Sequence, residues 1–139
     1  MITQDAATTK LESKDIKPTA NRILVMQALM SAGRALSLFD IESAIGTLDK
    51  SSIFRTLNLF LDKHAVHGIY DGSGSMKYEV CDSPGQCSDS DMHVHFYCRK
   101  CHRTICLKDL TVPSIRLPEN FKAEYKNYTV MGLCDRCSG

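Results

Sequence analysis

The run HVHFYCRKCHRTIC, His93 to Cys106, gathers three histidines and three cysteines into a few turns' length of chain. Thiolate sulfur and imidazole nitrogen are the usual protein ligands of zinc and other borderline metals. Cys98-Arg-Lys-Cys101 and a second pair, Cys134-Asp-Arg-Cys137, form two C-x-x-C knuckles. Each knuckle turn can aim two thiolates at one ion about 2.3 Å away, so the pair can close a tetrahedral zinc site. The gap between the knuckles is longer than the commonest zinc-ribbon spacing and leaves room for strands and a turn. Bound zinc would supply much of the folding energy of so small a domain. A thioredoxin-like redox pair would need a βαβ pattern around a knuckle, and neither has one.

His93 and His95 alternate with Val94 in a β-like run, which predicts that both rings project from one face of a strand. Imidazoles so spaced can ligate Fe(II), Mn(II), Co(II) or Zn(II). Alone, H-x-H is a weak signal; its place beside a knuckle strengthens it. His64 and His67 fall at a helix–strand junction and read as surface or capping residues, and His102 as exposed. Cys81, Cys87 and Cys106 are left over from seven cysteines.

The elements that must position these residues come from periodicity. The chain has 139 residues, 43% of them hydrophobic, enough for one ordinary domain or two small ones. A net charge of +1 argues against a polycationic nucleic-acid coat but leaves room for a local basic face. Lys14, Lys17, Arg22, Lys50, Arg55 and Lys63 could form it. No apolar run reaches transmembrane length, and MITQDAATTK lacks the layout of a signal peptide, so a cytoplasmic protein is expected. There, clustered cysteines hold metal more often than they form disulfides.

Residues 1–15 read as a frayed arm or a short first helix. Pro18 suits the first turn of the next helix, in which Ile23, Met26 and Met30 share a face with Leu24 and Ala28 beside them, and Gly33 is the stop. Ser37 and Asp40 have capping-box spacing ahead of the stripe Leu38, Ile41, Ala44 and Ile45, which Gly46 ends. A third helix starts near Asp49 to Ser51, with Ile53, Leu57, Phe60 and Leu61 facing inward and Phe54, Arg55 and Asn58 outward. AVHGIY and MKYEV, joined by DGSGS, then read as a β-hairpin. Three helices and a hairpin have the order of a winged helix-turn-helix. Residues 81–91, CDSPGQCSDSD, read as a loop, and the last third is mostly β-like, with Pro113 and Pro118 limiting any helix. The expected fold is α+β: a winged-helix domain over 1–80, a hinge over 81–91, and a small metal-binding domain over 92–139.

Taken together, "KPTANRILVMQAL", "SSIFRTLNLFLDKHAV", "DGSGSMKYEV", "HVHFYCRKC" and "GLCDRC" resemble the Fur (ferric uptake regulator) family of metal-dependent repressors, from about Lys17 to Cys137. The resemblance implies an N-terminal winged-helix DNA-binding domain, a C-terminal α/β dimerisation domain with a structural four-cysteine zinc site, and an exchangeable metal between them. It maps the regulatory ligands onto Glu79, His93 and His95. Two positions depart from the family: Ala35 stands where a histidine is usual, and Cys106 where a carboxylate is. Met92 and Val94 occupy positions of a third metal site, which the resemblance therefore does not extend to. Cys106 is either a small apolar residue on a strand or a thiolate in the sensing site. As a thiolate it would favour zinc or haem over a hard iron or manganese centre.

The same resemblance assigns DNA contact to Lys17, Arg22, Ser52, Phe54, Arg55 and Asn58, with Lys17 entering an A·T-rich minor groove. Phe54 stands where the family has tyrosine; it keeps thymine-methyl contact but loses the hydroxyl. The implied protein is a homodimer that binds palindromic A/T-rich operators when the interdomain site holds Fe(II), Mn(II) or Zn(II), and so controls metal homeostasis. The family's dimerisation helix would fall near residues 108–120, where the prolines lie, which shifts dimerisation toward strand pairing through 121–133. Haem- and peroxide-responsive regulators are alternatives within the family; the peroxide reading lacks its Asp ligand. A metal-dependent hydrolase or thiol oxidoreductase is the alternative outside it, but no H-E-x-x-H or similar motif is present.

Overall fold

The computed structural model describes residues 2–70, 74–81, 93–111, 113–123 and 128–139. Cys87 and Met92, and the side chain of His93, lie outside the described residues. The order of elements is α1 (Gln4–Ser13), α2 (Ala20–Ala32), β1 (Leu36–Ser37), α3 (Leu38–Ile45), α4 (Lys50–Asp62), β2 (Val66–Tyr70), β3 (Met76–Val80), β4 (His93–Cys98), β5 (Thr104–Thr111) and β6 (Thr129–Gly132).

Of the two readings of residues 1–15, the short first helix is the one found, over Gln4–Ser13. Thr3 caps α1 by accepting from the Ala6 N–H at 3.1 Å, and Ala7 and Leu11, one turn apart, are fully buried against the core. Pro18 lies just outside α2, before its cap Thr19, and not in the first turn. The buried face of α2 is Val25, Met26 and Leu29, while Ile23 and Met30 are only half-buried, so the apolar stripe is rotated from the expected one. α1 packs on this helix and adds a second apolar neighbour to it, which a reading of α2 alone does not include. Gly33 ends α2 at φ 63°, a left-handed conformation that glycine takes without a Cβ penalty.

Ser37 and Asp40 form the expected reciprocal capping box on α3, worth about 1 kcal/mol. Ile41 is its buried residue; Ala44, expected in the stripe, is exposed. On α4, Ile53, Thr56, Leu57 and Phe60 are buried. Asp49 occupies its cap position, but its carboxylate accepts from the Ser52 hydroxyl at 2.6 Å instead of from a backbone N–H. These helices enclose a core that includes Leu11, Val25, Met26, Ile41, Leu57 and Phe60.

Two three-stranded sheets follow, ordered β1-β3-β2 and β5-β4-β6. The hairpin β2–β3 pairs Val66 with Val80 and Tyr70 with Met76, and β1, too short to show a period, adds to the β3 edge. In the second sheet β5 runs antiparallel to β4 and β6 parallel to it. Residues 113–123 contain no helix, as Pro113 and Pro118 lead one to expect.

Among the described residues, side-chain contacts join the winged-helix lobe to the second sheet at three places on the wing. Glu79 meets His95, the Lys77 ammonium stands over the Tyr97 ring at 5.9 Å, and the Thr129 hydroxyl donates to the Tyr70 carbonyl at 3.1 Å. All three draw on the wing, so the hairpin helps to hold one lobe against the other.

Candidate metal centres

The two knuckles converge. The sulfurs of Cys98, Cys101, Cys134 and Cys137 all lie within 4.8 Å of one another, and Cys101 Sγ is 3.7 Å from Cys134 Sγ. Ligands about 2.3 Å from a tetrahedral zinc would sit about 3.8 Å apart, so the cluster fits a structural zinc site. Sheet pairing brings them together: Cys98 ends β4, and its register partner Gly132 ends β6, only two residues before Cys134. The His102 N–H donates to the Cys98 carbonyl at 2.8 Å and the Cys137 N–H to the Cys134 carbonyl at 3.0 Å, closing the two knuckle turns.

The thiols differ in acidity. Backbone N–H groups of Cys101, at 3.5 Å, and Cys134, at 3.4 Å, point at Cys98 Sγ and hold its pKa down to about 5. The Arg103 guanidinium, donating at 3.2 Å, lowers that of Cys134. Cys137, facing first Cys134 and then the other sulfurs, is pushed up to about 12. Several thiolates crowded together cannot all ionise without a cation, and a divalent ion removes that conflict.

A second donor group spans the lobes. His95 and Cys106 are directly opposed across β4 and β5, so both side chains leave the same face of the sheet. Glu79 arrives from β3 of the wing, and its Oε2 lies 2.7 Å from His95 Nε2. One donor atom from each of Glu79, His95 and Cys106 falls within 4.8 Å of the others. His95 is 5% exposed and the Glu79 side chain 15%. A buried carboxylate costs several kcal/mol unless it is paired. Desolvation indeed works to raise the Glu79 pKa, but the hydrogen bond and charge of His95, helped by Cys106 and His67, outweigh it and hold it below the ordinary carboxylate value. A hydrogen bond now joins two atoms that could equally share a metal ion, with Cys106 as a third ligand. Beside them lies a cavity of about 450 Å³ whose walls include Leu29, Met30, Glu79, Arg103, Ile105 and Cys106. Ala35 is buried and offers only a methyl group.

The residues expected at DNA are distributed unequally. On α4, Phe54 is 48% exposed, and Arg55 and Asn58 are open to solvent. Ser52 is half-buried, with its hydroxyl donated to Asp49. Lys17 is exposed, whereas Arg22 is half-buried and donates to the Lys17 carbonyl at 2.9 Å, bracing the entry to α2. Lys50 and Lys63 are exposed and lie near Glu42 and Asp15, loose surface pairs of small energetic weight. Lys14 overturns its expected place on a basic face: it is 4% exposed and donates to the buried Cys81 sulfur at 3.5 Å. Its stem packs inward where α1 ends, a position that charge alone could not reveal.

Arg103, by contrast, is not among the expected site residues. It directly follows a knuckle in the sequence, and a cation next to thiolates is a signal that a reading for ligands alone passes over.

Residues 13–131 match the pattern of the ferric uptake regulator family. Among solved structures, the Helicobacter pylori ferric uptake regulator Fur, described as having three functional metal binding sites, is 17% identical with a TM-score of 0.63, over 99% of this chain and 95% of that one. The Pseudomonas aeruginosa regulator with manganese is 18% identical, TM-score 0.62, over 93% and 98%. That of Vibrio cholerae is 16% identical, TM-score 0.61, over 91% and 98%. A search of curated protein sequences finds no match. At such identities the structural likeness speaks for the fold, and the family pattern, which runs through both lobes, carries the assignment. The chain belongs to the ferric uptake regulator family.

Proposed function

We propose that the protein is a metal-responsive DNA-binding transcriptional regulator, a repressor and not an enzyme, whose sensing site is Glu79, His95 and Cys106. One observation carries this reading: three metal-competent donors meet at the junction of the lobes, one from the wing and two from the second sheet. Residues that share one ion across a junction restrict how the winged helix can sit. A ligand shifts such an equilibrium only by its differential affinity for the competent arrangement, and a site assembled from both lobes supplies that difference.

In this reading α4 enters the major groove, with Arg55 making a phosphate or base contact, Phe54 and Asn58 beside it, and Ser52 near the helix start. Lys17 reaches the neighbouring minor groove, and Arg22 holds the backbone from which it extends. A homodimer places two such helices on a palindrome. Val130, Met131 and Leu133 are exposed apolar residues on and beside β6, and they support pairing of two copies through this sheet. The partner is double-stranded DNA, with a palindromic A/T-rich operator as the family resemblance implies.

Cys106 sets the metal class. A thiolate beside an imidazole and a carboxylate suits Zn(II) or Co(II) better than Mn(II). The cavity also supports a haem-responsive reading, because Cys106 lines it together with the apolar Leu29, Met30, Val80 and Ile105. An anaerobic selection from random duplexes, followed by binding assays with Fe(II), Mn(II), Zn(II) and haem added separately to protein stripped of its exchangeable metal, tests all of these. Tight binding is expected with zinc and weak binding without metal. Equal affinity with and without every addition would refute the sensing role.

A further inference from the structure

Arg103 stands where a charge is needed. Four thiolates around one zinc carry a net charge of −2, and two of them, Cys98 and Cys134, are buried. The guanidinium donates to Cys134 Sγ at 3.2 Å through Nη2, which also lies 3.3 Å from Asp135 Oδ1. Asp135 is mostly exposed and steadies the fork from its solvent side. The Arg103 backbone is held as well, since its carbonyl accepts from the Cys98 N–H at 3.0 Å. One residue is thus anchored by the first knuckle and extends its charge to the second.

We infer that Arg103 is a positioning residue of the four-cysteine centre, one that partly neutralises its excess negative charge and guards the Cys134 thiolate against electrophiles and loss of metal. The inference rests on the zinc assignment. A charge-assisted N–H···S bond draws electron density from sulfur, which lowers its nucleophilicity toward attacking groups. Partners of metal ligands that are not ligands themselves commonly change metal affinity by about 10- to 100-fold, which sets the size of the effect expected here.

The test uses the full-length zinc-loaded protein and the variants Arg103→Met, Arg103→Lys and Asp135→Asn. Zinc transfer to a chromogenic chelator and iodoacetamide labelling of Cys134, read by peptide mass spectrometry, should both be about 10-fold faster in Arg103→Met. Arg103→Lys should recover most of the loss, and Asp135→Asn should remain within about 2-fold of the parent, because the contact to sulfur survives. With cobalt in place of zinc, the sulfur-to-metal charge-transfer band should move to lower energy in Arg103→Met and return in Arg103→Lys, a signature that altered packing would not reproduce. Should Arg103→Met lose its metal during purification, full occupancy in Arg103→Lys supports the inference and equal loss in both overturns it. Identical labelling rates and cobalt spectra in the parent and Arg103→Met would also overturn it. A parent with no zinc on the knuckles would instead remove the zinc assignment itself, and the inference with it.

Discussion

The four-cysteine cluster and the Glu79–His95–Cys106 group differ in how they are built and therefore in what they can do. The cluster lies wholly within one lobe, uses one kind of ligand, and is closed by two local turns. Such a site suits permanent occupancy, because a closed four-thiolate set binds zinc tightly and the ion would tie the end of β4 to the turn after β6. The trio uses three kinds of donor from both lobes and opens onto a cavity. In the proposed reading it gains or loses an ion while each lobe stays folded, and its occupancy carries information. On that proposal, stability and sensing are separated by whether the ligands come from one lobe or two.

The largest effect should come from breaking the closed site. Cys98→Ala or Cys134→Ala should abolish zinc binding at the knuckles and unfold the second sheet, seen as loss of its protected amides in hydrogen exchange while the helical lobe keeps its own. An intact sheet without zinc would erase the proposed contrast. Breaking the open site should do the reverse. In His95→Ala, operator affinity should fall at least about 10-fold in saturating metal, a coupling within the 1–3 kcal/mol usual between linked sites, while knuckle zinc stays at one per chain.

Exchanging donors sharpens the comparison further. Cys106→Asp should shift the preference of the open site from Zn(II) toward Mn(II), by about 10-fold in competition titrations, and leave the closed site untouched. An unchanged preference would mean that Cys106 is only a packing residue. The smallest effect concerns protons. Glu79 has its pKa lowered on folding, so its pairing stabilises metal-free protein above the unfolded value of 4.5 and is lost as pH falls through the lower folded value. The melting temperature of Glu79→Gln should therefore lie below the parent's at neutral pH and converge with it in acid. A gap that stays constant down to low pH would mean that the carboxylate charge contributes nothing.

The two centres also differ in how far they could be read in advance. The knuckle pairs were legible because two residues of spacing confine both thiolates to one turn. His95 was legible as a candidate donor from its H-x-H spacing and Cys106 only from the position it fills in the family pattern, and only the β4–β5 register sets them side by side; a slip of one residue would turn Cys106 to the other face. Glu79 entered through family resemblance alone, since one glutamate on a wing strand carries no signal by itself. Lys14 misled for the opposite reason: its charge suggested an exposed face, and the packing at the end of α1 placed it beside Cys81.

By itself, the sequence determined what depends on a few neighbouring residues: the capping box of Ser37 and Asp40, the glycine that stops α2, the outward set Phe54, Arg55 and Asn58, and the two knuckles. These follow from steric and hydrogen-bond rules that act within a turn or two of chain. Tertiary structure alone decided that β6 runs parallel to β4, that Glu79 lies 2.7 Å from His95, and that Arg103 reaches Cys134. Each of those joins residues far apart in the chain, and their meeting reflects packing of whole elements, where no local preference has a say.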